Sequence, residues 1–499
     1  MKKINDELII QKLKGGLSND DCYKIDEFFA ELEKRIDLPI VSRNVLLEHF
    51  YYAFEYYLDN DYKVDEIVKL INPVNLKYFY KFHKRQYLTL DNAAIVYPLG
   101  MRYGKMPLFR LSATLKQDVI PSLLQLAVDF TIKRFPSFSA VIKTGFFWHY
   151  LETTNHINII EQESDIPCKP ISVILRSYKS IRVLYYKKRI SVEFFHAITD
   201  GAGGMVFLKT LLREYLRLLG KNIPCSDGIL DCNDEVDPLE LVNEFNNVQA
   251  NNDMSTFLDK PSLQLEGKYS KTYISKIIHY ELDSKKVLDL AHKYEGSVTA
   301  YILAILFMAS KKSISAKSGL FNIQVPVNMR KFNNSKTLRN YSMYFSVSKK
   351  IEDITDQKNL VLDMNEQIKT KGDVGIMSQM MATTRKIIQM VYYVPVFLKK
   401  PIVSIAYGYL GNQIIAFSLS NLGVIKIPNK MNKLIDCFDF VFVPTKPNKV
   451  TCSLVSYNNK MRLTIIRSCN DDRFENEVLK LLKKDGLDVI VEGSEDYEF

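Results

Sequence analysis

The stretch from Ser191 to Gly220 constrains this chain more than any other. Residues 191 to 195 alternate and then turn fully apolar, ending in Val192-Glu193-Phe194-Phe195, as a buried strand does. His196-Ala197-Ile198-Thr199-Asp200-Gly201 follows, and Gly203 and Gly204 continue the turn. Met205-Val206-Phe207-Leu208, Leu211-Leu212, Tyr215-Leu216 and Leu219 then recur at three- and four-residue spacing. That is a helix with a broad apolar face, and Gly220 supplies its stop. His196 therefore falls where a strand gives way to a tight loop ahead of a helix, a position at which a rigid scaffold aims functional side chains. The chain has only 7 histidines in 499 residues, so the placement is informative.

Imidazole suits general-base work because its unperturbed pKa of about 6.5 lies close to working pH. His196 is placed to take a proton from a hydroxyl, amine or thiol as that group attacks an acyl carbonyl. Two roles are open to Asp200, one tight turn away: orienting the imidazole as a triad acid does, or turning aside to pair with an arginine and fix the loop. Gly201 either leaves room for a substrate channel or permits positive φ. The plainer alternative is a packed histidine followed by an ordinary Asp-Gly turn.

His196, Asp200 and Gly201 match the His-x-x-x-Asp-Gly signature, and here the chain resembles the superfamily of chloramphenicol acetyltransferases, condensation domains and plant BAHD acyltransferases. It looks most like bacterial alcohol acetyltransferases, through Leu90 to Pro98 as an opening strand and Phe109 to Leu115 as the next. Arg134 to Phe138, Gly145 to Glu152, Pro326 to Phe332, Ser335 to Asn340 and Phe417 to Gly423 carry the rest. The resemblance spans about residues 88 to 495. It implies an α+β fold of two similar lobes of mixed sheet with flanking helices, meeting at a tunnel that donor and acceptor enter from opposite faces. It implies that His196 is the base and that Asp200 pairs with an arginine, Arg330 first and Arg110 second. It implies coenzyme A thioesters, acetyl-coenzyme A above all, as co-substrate with no permanently bound cofactor, and a small-molecule acceptor. A carrier-protein thioester donor, as in peptide-synthetase condensation domains, is the alternative. The plant Asp-Phe-Gly-Trp-Gly segment is absent, and the only tryptophan is Trp148. Ser420, Asn421 and Gly423 stand in its place, with Ser420 and Asn421 as candidate oxyanion donors or else a turn closing a strand. Lys331, Lys336 and Arg339 are candidates for the coenzyme A phosphates, or else solvated loop charge.

Mixed strands and helices in two halves, with many antiparallel hairpins, also read as α+β lobes without the resemblance. Residues 1–85 read as a helical extension that packs on the body or binds a protein partner. Residues 88–225 read as the first lobe, 226–268 as an acidic, Asn-rich linker and 270–499 as the second lobe. Strand-like runs are expected at 92–98, 107–115, 139–151, 171–176 and 181–196, among others. A 47% hydrophobic and 25% charged composition is that of a globular chain. The net charge of +10 is spread along the sequence, suits a polyanionic ligand or simple solubility, and forms no stripe for nucleic acid. Cysteines number 7, with no Cys-x-x-Cys, so neither a disulfide framework nor a metal site is expected. The acids near Met1 do not fit a signal peptide, and the apolar stretch Val391 to Leu410 is broken by Lys399, Lys400 and Pro401. A cytoplasmic protein without a transmembrane segment is the expectation. Three functions follow: an acyltransferase acting on an alcohol or similar nucleophile, a condensation-type enzyme, or a non-catalytic binding protein.

Overall fold

Three β-sheets carry the polypeptide in the computed structural model, which describes residues 11–73, 86–100, 106–171, 173–174, 177–248, 260–272, 274–399, 401, 414–444 and 448–494. The first half opens with helices α1 (Asn19–Arg35), α2 (Ile40–Leu58) and α3 (Val64–Ile71). Strands β1 (Tyr87–Thr89) and β2 (Leu108–Leu115), helix α4 (Pro121–Ile132), and strands β3 (Ala140–Thr144) and β4 (His149–Thr153) come next. Short β5 (Glu161–Gln162), β6 (Val173–Ile174) and β7 (Ser177–Lys179) lead to β8 (Ile181–Tyr186), β9 (Arg189–Phe195) and helix α5 (Gly201–Leu218).

The second half begins with β10 (Lys276–Asp283), α6 (Ser284–Lys293), α7 (Val298–Ser313), β11 (Leu320–Asn328) and β12 (Ser342–Lys350). Helices α8 (Gln357–Lys371) and α9 (Val374–Met390) follow. The chain closes with β13 (Phe417–Val424), β14 (Ile435–Phe442), β15 (Val450–Tyr457), β16 (Lys460–Arg467), α10 (Arg473–Lys484) and β17 (Ile490–Gly493). The sheets are ordered β1-β4-β3-β7-β6, β14-β2-β9-β8-β5 and β12-β11-β13-β15-β16-β10-β17. This mixed architecture of two sheet-rich lobes with flanking helices is the fold class expected from the sequence.

Two apolar cores correspond to the two lobes. One packs α4 and α5 on the sheet that contains β2 and β9, and the other packs α7, α8 and α10 on the seven-stranded sheet. Helix α7 is buried along nearly its whole length, and Ser297 caps it by accepting the Ala300 N–H at 3.2 Å. Helices α1 to α3 join the first core: Phe50 packs on Phe130 at 5.9 Å, and His49 Nδ1 meets Asp129 Oδ2 at 2.6 Å. The N-terminal helices thus pack on the body.

The halves read from sequence are interleaved in two places. Strand β14, from within 270–499, pairs with β2 of the first lobe in antiparallel register, Phe440 opposite Leu111. In the stretch 226–248, short helical turns at Pro238–Leu241 and Glu244–Asn247 form a strap. Glu240 on that strap is buried against Arg134, with contacts of 2.6 and 2.7 Å. The segment 92–98 is not a strand. Asp91 Oδ1 accepts the Ala94 N–H at 2.8 Å, and the Asp91 carbonyl accepts those of Ala94 and Ile95 at 3.0 Å. This side-chain-stabilised turn bends the chain into a short helix at Val96–Gly100, overriding its apolar pattern.

Candidate active site

Strand β9 ends at Phe195, and its ladder sets the position of the next residue: the His196 N–H donates to the Pro107 carbonyl at 2.9 Å, at the mouth of β2. The loop ends where Asp200 caps α5, Oδ1 accepting the Ala202 and Gly203 N–H groups at 3.1 and 3.0 Å. Its other oxygen, Oδ2, receives Arg330 Nη1 at 2.7 Å and the Tyr341 N–H at 2.8 Å. One carboxylate therefore ties a first-lobe helix to a second-lobe segment. Burial alone would raise its pKa, but the Arg330 charge and these hydrogen bonds hold it below the ordinary 3.8.

The segment from Arg330 to Tyr341 wraps the His196 loop. Arg330 is fixed in turn by the Thr337 carbonyl at 2.7 Å, Asn328 Oδ1 at 3.2 Å and the Arg339 carbonyl. Thr199 Oγ1 donates to the Leu338 carbonyl at 2.6 Å. Leu338 N donates to the Glu240 carbonyl at 2.8 Å, which carries the contact on to the strap. A Cβ on Gly203 would stand 2.3 Å from the Leu338 oxygen and 2.2 Å from Thr199 Oγ1, so only glycine permits this approach. At Gly201 a Cβ would meet Leu422 Cδ2 at 2.7 Å, so the missing Cβ makes room for the bulge of β13, and Gly201 does not adopt positive φ.

His196 is half-buried. Tyr97 stacks on its ring at 4.7 Å, and Phe109 meets it edge-on at 5.1 Å. Nδ1 lies 3.1 Å from Asn340 Oδ1, and the residue also makes a hydrogen bond within its own backbone. An amide oxygen only accepts, so in the Asn340 contact Nδ1 carries the hydrogen, which leaves the lone pair on Nε2. Burial pushes the imidazole below its ordinary 6.5, outweighing its own backbone, Asp200 and Asn340, which act in the opposite sense. The ring is neutral at pH 7, the form a general base requires.

Asn340 is itself held by Asp91, whose Oδ2 accepts its N–H at 3.2 Å. Asp91 is fully buried, and that burial lifts its carboxyl to about 6 despite the neighbouring Arg339. The turn carrying Tyr97 and the segment carrying Asn340 thus meet at one carboxyl.

The other sequence candidates make contacts of their own. Arg110 is not the partner of Asp200: β2 pairs with β9 so that Arg110 faces Glu193, and its guanidinium binds Glu193 and Glu163. Arg339 is buried against Asp91, at 3.8 Å, and donates to the carbonyls of Leu241 and Thr89, so it does not join a basic rim for phosphate. Lys336 is exposed and pairs with Asp237 at 3.0 Å, while Lys331 is exposed beside Arg330. Asn421 is engaged with Thr299 Oγ1 at 3.0 Å and with the N–H of Gly423, which turns at φ +74. Ser420 pairs with Ser453 within the sheet. A surface cleft of about 780 Å³ lies between Asn222–Asp227 and Ile425–Asn432, and none of its walls belongs to the His196 site. Tyr97, Asn340 and Asp91 were not singled out from sequence. All three stand in segments that carried the resemblance, and no local pattern in the sequence marks Asp91 or Asn340.

No family model matches the chain, and no curated protein matches its sequence. Solved structures do match in fold. The trichothecene 15-O-acetyltransferase TRI3 from Fusarium sporotrichioides aligns with a TM-score of 0.56 at 9% identity, over 80% of this chain and 94% of that one. TRI101 from F. graminearum, complexed with ethyl coenzyme A, aligns at 0.55 and 9% identity, over 81% and 100%. The epimerization domain from the third module of tyrocidine synthetase B aligns at 0.52 and 12% identity, over 81% and 95%. The chain therefore has the fold shared by these acetyltransferases and peptide-synthetase domains.

Proposed function

We propose that this protein is an acyltransferase that moves an acyl group, acetyl in the first instance, from a coenzyme A thioester to an alcohol or similar nucleophile. The observation that carries this reading is His196. It is a half-buried imidazole, neutral at pH 7, whose Nδ1 faces Asn340 Oδ1, in a loop clamped between two lobes. In the proposed reaction Nε2 takes the acceptor's O–H proton as the oxygen attacks the thioester carbonyl carbon. The tetrahedral oxyanion collapses, the C–S bond breaks, and the departing thiolate takes the proton back from the imidazolium. Asp200 and Arg330 act as positioning residues that fix the loop. Among the late-strand candidates Ser420 is the oxyanion donor to test first, because the Asn421 amide is committed to Thr299.

The fold is also that of a condensation domain of the calcium-dependent antibiotic synthetase, aligned at a TM-score of 0.51 and 10% identity, which supports a carrier-protein thioester as the second reading. Calorimetry with free coenzyme A separates the two. Binding supports the first reading, and its absence together with transfer from a loaded carrier protein supports the second. Release of free thiol from acetyl-coenzyme A, followed across a panel of alcohols and amines, tests the activity. His196→Ala is expected to lower turnover by about 10²–10⁴-fold, the usual contribution of a general base, with the fold intact. Near-normal turnover in that variant removes His196 as the base.

A further inference from the structure

Aspartates that cap helices and turns in this protein differ in where they sit. Asp283, Asp356 and Asp373 are exposed, and each accepts N–H groups at the start of its own helix, α6, α8 or α9. Asp91 and Asp200 are buried, and each divides its two oxygens between the lobes. Asp91 Oδ1 accepts the Ala94 N–H at 2.8 Å, within the first lobe, and Oδ2 accepts the Asn340 N–H at 3.2 Å. Asp200 Oδ1 accepts two N–H groups of α5, and Oδ2 accepts the Tyr341 N–H at 2.8 Å.

The two second-lobe N–H groups are consecutive in the chain. Two first-lobe carboxylates thus grip residues 340 and 341, one each, and the residue held by Asp91 is the one whose Oδ1 lies 3.1 Å from His196 Nδ1. Each carboxylate also faces an arginine of the same second-lobe segment. Arg330 Nη1 lies 2.7 Å from Asp200 Oδ2, and Arg339 Nε lies 3.8 Å from Asp91 Oδ2. Arg339 is braced in turn on the carbonyls of Leu241, at 3.2 Å, and Thr89.

A cap needs one acceptor oxygen, and an exposed aspartate supplies it while staying hydrated. Burying a carboxylate and a guanidinium together carries a desolvation cost that capping alone does not require. What the buried position adds at Asp91 is the hold on Asn340, the residue that meets the imidazole.

We propose that Asp91 is a positioning residue for His196. With Asp200 it forms a two-carboxylate clamp on residues 340 and 341 that fixes the Asn340 amide oxygen against Nδ1. The clamp thereby keeps the imidazole in the tautomer with its lone pair on Nε2. Asp91 acts through Asn340 and is not itself a catalytic residue. The proposal rests on the reading of His196 as the base.

Asp91→Ser tests it, because a serine hydroxyl still caps the turn at Ala94 but leaves no second oxygen for Asn340. Asp91→Ser combined with Arg339→Met removes both buried charges together and serves where the single variant is too unstable to fold. The first readout is independent of catalysis. It is nuclear magnetic resonance of the full chain carrying nitrogen-15-labelled histidine, with His196→Ala identifying the His196 signals among the 7 histidines. The solution is held at pH 8, above the Asp91 carboxyl at about 6 and the lowered His196 value. The wild-type ring is expected to show a proton fixed on Nδ1, and in both Asp91 variants the two nitrogen shifts should converge as the tautomers exchange. The second readout is acyl transfer from acetyl-coenzyme A by the folded fraction. There kcat should fall about tenfold, the equivalent of one hydrogen bond, with KM within about twofold. Adding Asn340→Ala to Asp91→Ser should cause no further fall, since both remove the same contact. Wild-type ring shifts in Asp91 variants that have lost stability overturn the proposal and leave Asp91 a structural cap. Additive losses of about a hundredfold on combining Asp91→Ser with Asn340→Ala overturn it too, by placing Asp91 on a separate path. If the wild-type chain transfers no acyl group, the acyl-transfer reading falls, and the ring shifts alone decide whether Asp91 sets the imidazole.

Discussion

Two buried guanidinium–carboxylate clusters, one inside β9 and one just beyond its C-terminal end, differ in what they join. Glu193, within the strand, binds Arg110 on the neighbouring β2 and Arg182 on the neighbouring β8, and its Oε1 accepts the Cys168 N–H at 2.6 Å. All its ionic partners belong to one sheet. Asp200, just past the end of the same strand, joins the first turn of α5 to Arg330 and Tyr341 of the other lobe. The first cluster fixes a sheet that its ladder already specifies. The second fixes a loop that has no ladder, and the loop carries His196. Equal losses of ion pairing should therefore have unequal consequences for chemistry.

Paired substitutions test this directly. Removing one partner of a buried ion pair typically costs about 3–5 kcal/mol. Asp200→Asn keeps the shape and the helix cap but strands the Arg330 charge, so stability should fall by about that amount, and acyl transfer measured on the folded fraction should fall as well. Glu193→Gln should cost stability in the same range, read by chemical denaturation, while the folded fraction retains near-normal turnover. Equal activity losses in the two variants would break the distinction. The Asp200 contribution has a pH signature. Its folded pKa lies below the ordinary 3.8, so its stabilisation is complete above that pH and fades as pH falls through the lower, folded value. The stability gap between wild type and Asp200→Asn should close only in strongly acidic solution.

A smaller effect is expected at Gly203, where the α5 end of the same clamp packs backbone on backbone. Gly203→Ala places a methyl group 2.3 Å from the Leu338 oxygen, which must move. Overpacking of this kind costs about 1–3 kcal/mol. Because Leu338 lies two residues from Asn340, turnover should fall along with stability. The matching change in the first cluster is at Ser191 beside Glu193: Ser191→Ala loses one hydrogen bond, to Ser112 Oγ at 2.9 Å, and should spare turnover.

Local physics explains which parts of this arrangement were legible in the sequence. Strand β9, loop and α5 follow from apolar periodicity and from the Asp200 cap, both contained in one short segment. The Arg330 partner was legible only through the resemblance, since nothing within the segment indicates which of the chain's arginines a carboxylate will meet. Arg110 was a reasonable second choice from sequence, but the β2–β9 register commits it to Glu193. The turn at Asp91 read as a strand because its residues are apolar, and hydrogen bonds accepted by the Asp91 carboxylate and carbonyl decided the matter. Arg339 read as a phosphate ligand because charge suggests exposure, and its burial depends on Asp91, far away in sequence. Strand β14 crossing to the first lobe is a long-range pairing that no local pattern specifies.

The finest distinction between the clusters concerns the proton on His196. Nothing in the Glu193 cluster is paired with the imidazole, whereas Asn340 accepts from Nδ1 and so favours the tautomer with its lone pair on Nε2. Asn340→Ala removes an acceptor that stabilises the protonated ring, so the already lowered pKa should move further down. A general base works in its neutral form, so the wild-type kcat/KM should be level at pH 7 and decline only below about 6.5. In Asn340→Ala the acid limb should shift to lower pH, while the level region drops by about tenfold, the equivalent of one hydrogen bond of roughly 1.4 kcal/mol. Asn340→Asp puts a carboxylate beside Nδ1 and should move the limb the other way, towards higher pH. Opposite displacements in these two variants would identify the titrating group as His196, and an acid limb that stays fixed in both would assign it to another group and remove Asn340 from the site.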